Sequence, residues 1–172
     1  RALALYEESL QIKEQLGDMQ GKAASLHEMA WVYRTRGDLD RALALYEESL
    51  QIKEQLGDKR GKAASLHQMA HIYLTRGDLD RALALLEESL QLYEQLGDKQ
   101  GKAASLGNMA HIYLTRGDLD RALALYEESL QLKEQLGDMQ GKAASLHEMA
   151  GVYLTRGDLD RALALLEESL QL

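Results

Sequence analysis

Cysteine, proline and phenylalanine are all missing from the 172 residues of this chain. Without cysteine there are no disulfides, no thiol catalysis and no cysteine-based zinc sites. The lack of proline suits a chain that is nearly all helix joined by very short turns. No apolar run approaches the roughly 18 residues of a membrane span, and no signal-peptide pattern opens the chain. These absences predict a cytoplasmic protein with no membrane partner. Positive charge is scarce as well: 20 Lys and Arg stand against 28 Asp and Glu, a net charge of −8. A nucleic-acid partner calls for a basic stripe and is excluded on that ground. The first residue, Arg1, falls in mid-repeat with no initiating Met, as in a fragment of a longer protein.

What is present is repetition. The string RALALYEESLQIKEQLGD begins at Arg1 and returns, with few changes, at Arg41, Arg81, Arg121 and Arg161. A second string of the form GKAASLHEMAWVYRTRGDLD begins at Gly21, Gly61, Gly101 and Gly141, and the step from Gly21 to Gly61 is the period. A period of about 40 residues marks a solenoid, in which each unit buries its apolar face against its neighbours. The chain divides accordingly into a half repeat at 1–18 and repeats at 19–58, 59–98, 99–138 and 139–172, read as one solenoid.

Each repeat reads as two helices. Leu26, Met29, Ala30 and Tyr33 recur at i, i+3, i+4 and i+7, an amphipathic stripe on the first helix. Leu39, Ala42, Leu43, Tyr46, Leu50 and Leu56 form the stripe of the second, and Leu45 with Ile52 adds another apolar face. Two apolar faces let one helix pack against its own partner and against the next repeat. Gly17-Asp18 and Gly37-Asp38 supply the punctuation: glycine takes the left-handed C′ conformation and aspartate caps the helix that follows. Asp40 adds negative charge in the first turn of the second helix, where the helix dipole favours it. This predicts helices near 19–36 and 39–56, recurring once per repeat, and nine in all.

Leu26, Ala30, Tyr33, Gly37, Ala42, Tyr46 and Ser49 fall at the spacing of the large and small residues of the tetratricopeptide-repeat signature, and the chain resembles that family over its whole length. Glu54 stands where the family usually closes with proline. The second helix runs on, so the repeat is longer than the family's usual length of about 34 residues. The variant resembles the long repeats of spindle-orientation adaptors and bacterial signalling proteins. The resemblance implies an all-α fold, a right-handed α-solenoid of stacked antiparallel helix pairs with about nine helices. It also implies a scaffold that binds proteins or extended peptides in a concave groove lined by the first helices.

Most columns are constant from repeat to repeat, and the exceptions cluster. Gln20/Arg60/Gln100/Gln140, His27/His67/Gly107/His147, Trp31/His71/His111/Gly151 and Arg34/Leu74/Leu114/Leu154 draw one line along the first helix, with Glu28/Gln68/Asn108/Glu148 beside it. In the family that face looks into the groove, and Ala24 with its repeats keeps the floor shallow. The candidate peptide-binding residues are therefore His27, Glu28, Trp31, Arg34, His67, Gln68, His71, Leu74, Asn108, His111, Leu114, His147 and Glu148. The alternative is that these positions drift because they meet only solvent. On the second helix Glu47, Glu48, Gln51 and Glu54 stay constant through the complete repeats, and the Lys13/Lys53/Tyr93/Lys133 column beside them varies. The outer surface is then acidic and the groove near neutral and rich in histidine. If an acidic partner binds there, affinity is expected to rise below about pH 6.5, where free histidine protonates.

Other motifs point elsewhere. The family's chaperone-carboxylate clamp places Lys and Asn in columns that here hold His27 and Trp31, His67 and His71, and Gly107 and His111, so that function is not carried over. His67-Gln68-Met69-Ala70-His71 resembles a zinc-protease helix with its glutamate changed to glutamine. His27-Glu28-Met29-Ala30-Trp31 and His147-Glu148-Met149-Ala150-Gly151 keep the glutamate and lose the second histidine. Hydrolysis needs both, and a third ligand. Zinc capture by His67 and His71, with His111, competes with a reading as solvent-facing groove histidines, and the latter is preferred, with no metal and no cofactor. Arg36-Gly37-Asp38 spells an adhesion tripeptide but sits in a helix–helix turn. Ser25 and Ser49 have no triad, so the chain reads as no enzyme. Leu163, Leu165, Leu166, Leu170 and Leu172 lie on a last helix with no polar cap after it, which opens end-to-end homo-association. The competing function is thus a structural spacer or self-assembling rod. The near-identity of the repeats fits recent tandem duplication and an engineered consensus array equally.

Overall fold

The computed structural model describes residues 2–172; Arg1, where the first repeat string begins, lies outside them. Among the described residues there are nine α-helices and no strand: α1 (Ala2–Leu16), α2 (Met19–Thr35), α3 (Leu39–Gln55), α4 (Lys59–Thr75), α5 (Leu79–Leu96), α6 (Lys99–Thr115), α7 (Leu119–Leu136), α8 (Met139–Arg156) and α9 (Leu159–Leu170). The helices form two compact units, Arg1–Leu92 and Tyr93–Leu172, with the boundary inside α5. Each is a stack of neighbouring helices in an all-α repeat fold of the solenoid type. None is long and apolar enough to cross a membrane.

The junctions form as their residues dictate. Gly37 takes φ +82° and Gly57 φ +68°, where a side chain would be strained. Gly57 N donates to Glu54 O at 3.1 Å and Asp58 N to Lys53 O at 2.9 Å, the paired closure of a left-handed helix end. Asp58 then accepts from Gly61 N at 2.8 Å, capping α4. Gly61 leaves room for that cap: a Cβ there would meet the Asp58 carboxylate and lie 2.9 Å from Lys53 Cδ, so those side chains would have to shift. The same cap recurs at Asp18, Asp98 and Asp138.

In unit 1, Ala30, Ala42, Leu43, Tyr46, Met69 and Ile72 make one core cluster drawn from α2, α3 and α4. Ala23 and Leu26 of α2 meet Ile52 of α3 in another, with Leu45 against it, so α3 does bury two faces. In unit 2, Ala110, Ala122, Leu123, Tyr126, Met149 and Val152 form the matching cluster from α6, α7 and α8. Leu56 departs from its expected place in the core. It is 48 % exposed, because α3 ends at Gln55 and Leu56 is its C-cap.

Two polar devices join the layers. Ser49 Oγ donates to Ala23 O at 2.7 Å, and Ser89 Oγ to Ala63 O at 2.9 Å, both from fully buried positions. Lys22 bridges Glu14 of α1 and Glu48 of α3 at 2.8 and 3.0 Å. Lys62 bridges Glu54 and Glu88 at 2.8 and 2.7 Å, and its ammonium pKa is raised by those hydrogen bonds. The glutamates are about half exposed, so each bridge contributes little stability; its repetition fixes register. Ser89→Ala is expected to lower stability by about 1 kcal/mol, the net worth of one such hydrogen bond. The check is the midpoint of urea unfolding, and an unshifted midpoint would show that the hydroxyl is dispensable.

Candidate functional site

The first-type helices α2 and α4 carry the candidate residues of unit 1, and α6 and α8 those of unit 2. On α2, Trp31 is 48 % exposed and Glu28 is exposed, whereas His27 and Arg34 are half-buried. On α4, His67, Gln68, His71 and Leu74 are all half-buried. In unit 2, His111, His147 and Glu148 are exposed, Asn108 is half-buried, and Leu114 packs against the core cluster.

Unit 1 draws its candidates into two groups. In the first, Lys53 of α3 is only 7 % exposed. Its ammonium donates to Ser65 Oγ at 3.0 Å and faces His27 Nδ1 at 3.3 Å. That contact makes Nδ1 the acceptor and leaves the ring proton on Nε2. The His27 ring meets Tyr46 edge-on, centroids 5.0 Å apart. Burial holds His27 down at about 4, with the Lys53 charge adding to the effect, and burial also lowers Lys53 itself against the pull of Asp58 and Glu28. His27, Glu28, Ala24, Ala64 and Lys53 help line a cleft of about 280 Å³.

The second group centres on α4. His71 Nε2 and His67 Nε2 are 3.3 Å apart, with rings edge-to-face at 69°. Burial pushes His67 to about 4, helped by His71 and Arg34; burial also lowers His71, again with Arg34 contributing. Arg34 Nε, Tyr46 Oη and Gln68 Oε1 are buried atoms without hydrogen-bond partners. Burial raises the Tyr46 phenol to about 12. Two repeats along, the Tyr126 phenol is raised by burial and by Glu148, to which it is hydrogen-bonded.

These facts correct the solvent-facing picture of the unit 1 histidines. His27, His67 and His71 are partly buried beside cations, so they do not supply a charge switch near pH 6.5. The Lys13/Lys53/Tyr93/Lys133 column is also misplaced by the sequence reading, which sets it on an exposed face. Tyr93 is 9 % exposed and fills the space beside Gly101, while Lys13 and Lys133 donate to Ser25 and Ser145. Ser25 and its repeats are constant after Tyr93 as well as after the lysines, so the sequence carried no signal of this burial. The Arg36-Gly37-Asp38 tripeptide is engaged in structure: Asp38 caps Arg41 N, and the Arg41 guanidinium lies 5.5 Å from the Tyr33 ring centre. No group of three or more His, Cys, Asp or Glu converges on a metal-sized space among the described residues.

The stacked helix pairs define a helical-repeat class, and comparison gives the family. The tetratricopeptide-repeat family model matches residues 1–55, 61–135 and 103–172, and the chain belongs to that family. No curated protein matches it. Among solved structures, BtubC (BKLC) from P. vanneervenii is 24 % identical with a TM-score of 0.90, over 99 % of this chain and 71 % of that one. A Podosopora anserina protein assigned as a kinesin light chain, with nearly identical TPR-like repeats, is 25 % identical with a TM-score of 0.79, over 99 % and 84 %. A Rap protein complexed with competence and sporulation factor is 19 % identical with a TM-score of 0.79, over 90 % of this chain and 43 % of its own.

The lowered histidines make stability depend on pH. A histidine at about 4 when folded and near 6.5 when unfolded leaves the unfolded chain holding more protons between those values. Stability from His27 and His67 is therefore full above about pH 6.5 and is lost as pH falls toward 4. His27→Gln with His67→Gln is expected to flatten the loss between pH 6.5 and 4.5, measured as unfolding midpoint against pH. Parallel curves for parent and variant would contradict it.

Proposed function

We propose that the chain is a non-catalytic scaffold that binds a protein or extended peptide on the faces of its first-type helices. The observation that carries this reading is on α2, where Trp31 stands 48 % exposed one turn from Arg34, with the cleft of about 280 Å³ at His27 and Glu28 on the same helix. Tryptophan and arginine are over-represented among the side chains that dominate binding energy. The cleft adds an apolar recess bounded by Ala24 and Ala64. On α4, His67, Gln68, His71 and Leu74 extend the face, and Asn108, His111, Leu114, His147 and Glu148 are its counterparts in unit 2. Family membership supports an interaction role, and the changes among repeats supply the means of discriminating one segment from another.

The test is selection of a random peptide display library on the parent and on Trp31→Ala with Arg34→Ala. Peptides enriched on the parent should be lost on the variant, with at least tenfold weaker binding when remeasured in solution, the cost of one hot-spot side chain. Equal enrichment on both proteins would move the site away from α2.

A second reading, association of chains through their terminal helices, is favoured by α9. Leu163 is 57 % exposed, whereas its equivalent Leu43 is 7 % exposed, and Leu170 is 87 % exposed. Apolar surface of this kind draws partners. Sedimentation of the chain should then show weight-average mass rising with concentration, and Leu163→Glu with Leu170→Glu should abolish the rise. A mass that stays at one chain throughout would end this reading.

A further inference from the structure

We propose that His67 and His71 form a binding site for a single divalent transition-metal ion, held by their two Nε2 atoms. The residues are one helical turn apart on α4, so both side chains leave the same face. Their Nε2 atoms lie 3.3 Å apart. Two nitrogen ligands at about 2.0–2.1 Å from a tetrahedral ion lie roughly 3.3–3.4 Å from each other. The rings sit edge-to-face with centroids 5.0 Å apart, so the two Nε2 atoms converge and the ring faces do not stack. The pair is thus already set at the separation a chelated ion requires.

The protonation state agrees. Imidazole binds metal in its uncharged form, and two Nε2 atoms 3.3 Å apart cannot both carry a proton. One Nε2–H donates to the other Nε2 in the present arrangement. On binding, the ion takes the place of that shared proton, each ring carries its proton on Nδ1, and one neutral tautomer shifts without net loss of a proton. Imidazole pairs suit Zn²⁺, Ni²⁺ and Cu²⁺. Both histidines keep part of their surface exposed, which leaves room for water to complete the shell. With Gln68 where a zinc hydrolase has its glutamate, the site binds and does not hydrolyse.

The other repeats act as internal controls. Their equivalents of the pair are His27 with Trp31, Gly107 with His111, and His147 with Gly151, so each has one imidazole. Arg34 opposes the ion electrostatically, and the same column holds Leu74, Leu114 and Leu154 elsewhere. Arg34→Leu therefore brings in the residue the fold already accommodates and removes the repulsion. This proposal is independent of peptide binding, since its test uses no peptide.

The experiment is titration of the parent with zinc chloride alone, followed by histidine nitrogen NMR and by thermal unfolding. The expected result is saturation at one ion per chain, with the Nε2 signals of His67 and His71 moving and those of His27, His111 and His147 still. The unfolding midpoint should rise with zinc, His71→Gln should lose the response, and Arg34→Leu should bind several-fold more tightly. Absence of saturable shifts at millimolar zinc would overturn the site. So would shifts centred on His111 or His147, or a response that survives in His71→Gln. The parent spectra and Arg34→Leu keep the test decisive if His71→Gln does not fold.

Discussion

Each unit depends on small residues that let neighbouring helices approach closely. Ala30, Ala42 and Ala70 have no exposed surface, and they sit where one helix crosses the next. Close approach brings Met69 and Ile72 of α4 onto Leu43 and Tyr46 of α3. It also sets Ser49 within hydrogen-bond reach of the Ala23 carbonyl, a bond that a wider spacing would break. A larger side chain at an alanine would force the helices apart and strand those polar groups, which is why overpacking is costly in such an interior. The Lys22 and Lys62 bridges hold the layers in register once that distance is set.

The variable columns answer to two demands at once. Trp31 and Glu28 face solvent and are free to meet a partner. His27, His67 and His71 are partly packed into the layer between helices, where burial keeps them neutral. The column of Glu28, Gln68 and Glu148 also has a structural side. Glu148 is hydrogen-bonded to the buried Tyr126 phenol, while Tyr46 and Gln68, at the same places two repeats earlier, each retain a buried unpartnered oxygen. Unit 1 is thus the less satisfied of the two at this position, and it is also where the tryptophan and the extra arginine occur.

Much of this was legible in the sequence, because an exact period leaves few choices. Glycine before aspartate located each helix junction to within a residue, and alternation of large and small apolar residues gave both packing faces of the second helix. Burial of long polar side chains was not legible. Lys53 reads as one more charge on an acidic helix, and only the folded layer shows its ammonium turned inward to Ser65 and His27. Gly61 reads only as the start of a repeated string, yet the Asp58 and Lys53 side chains fill the space its Cβ would take. The histidines failed for a related reason: helical spacing fixes the direction in which a side chain leaves the backbone, but their depth depends on the neighbouring helix.

The central claim is the proposal that the exposed first-helix residues, Trp31 foremost, carry recognition while the constant columns carry the helix packing. The most direct measurement grafts the side chains of α6 onto α2, as His27→Gly, Glu28→Asn, Trp31→His and Arg34→Leu in one chain. Helical content by circular dichroism and affinity for peptides selected on the parent would both be measured. The account predicts unchanged helical content with peptide affinity lost. Intact affinity, or collapse of the helices, would contradict it.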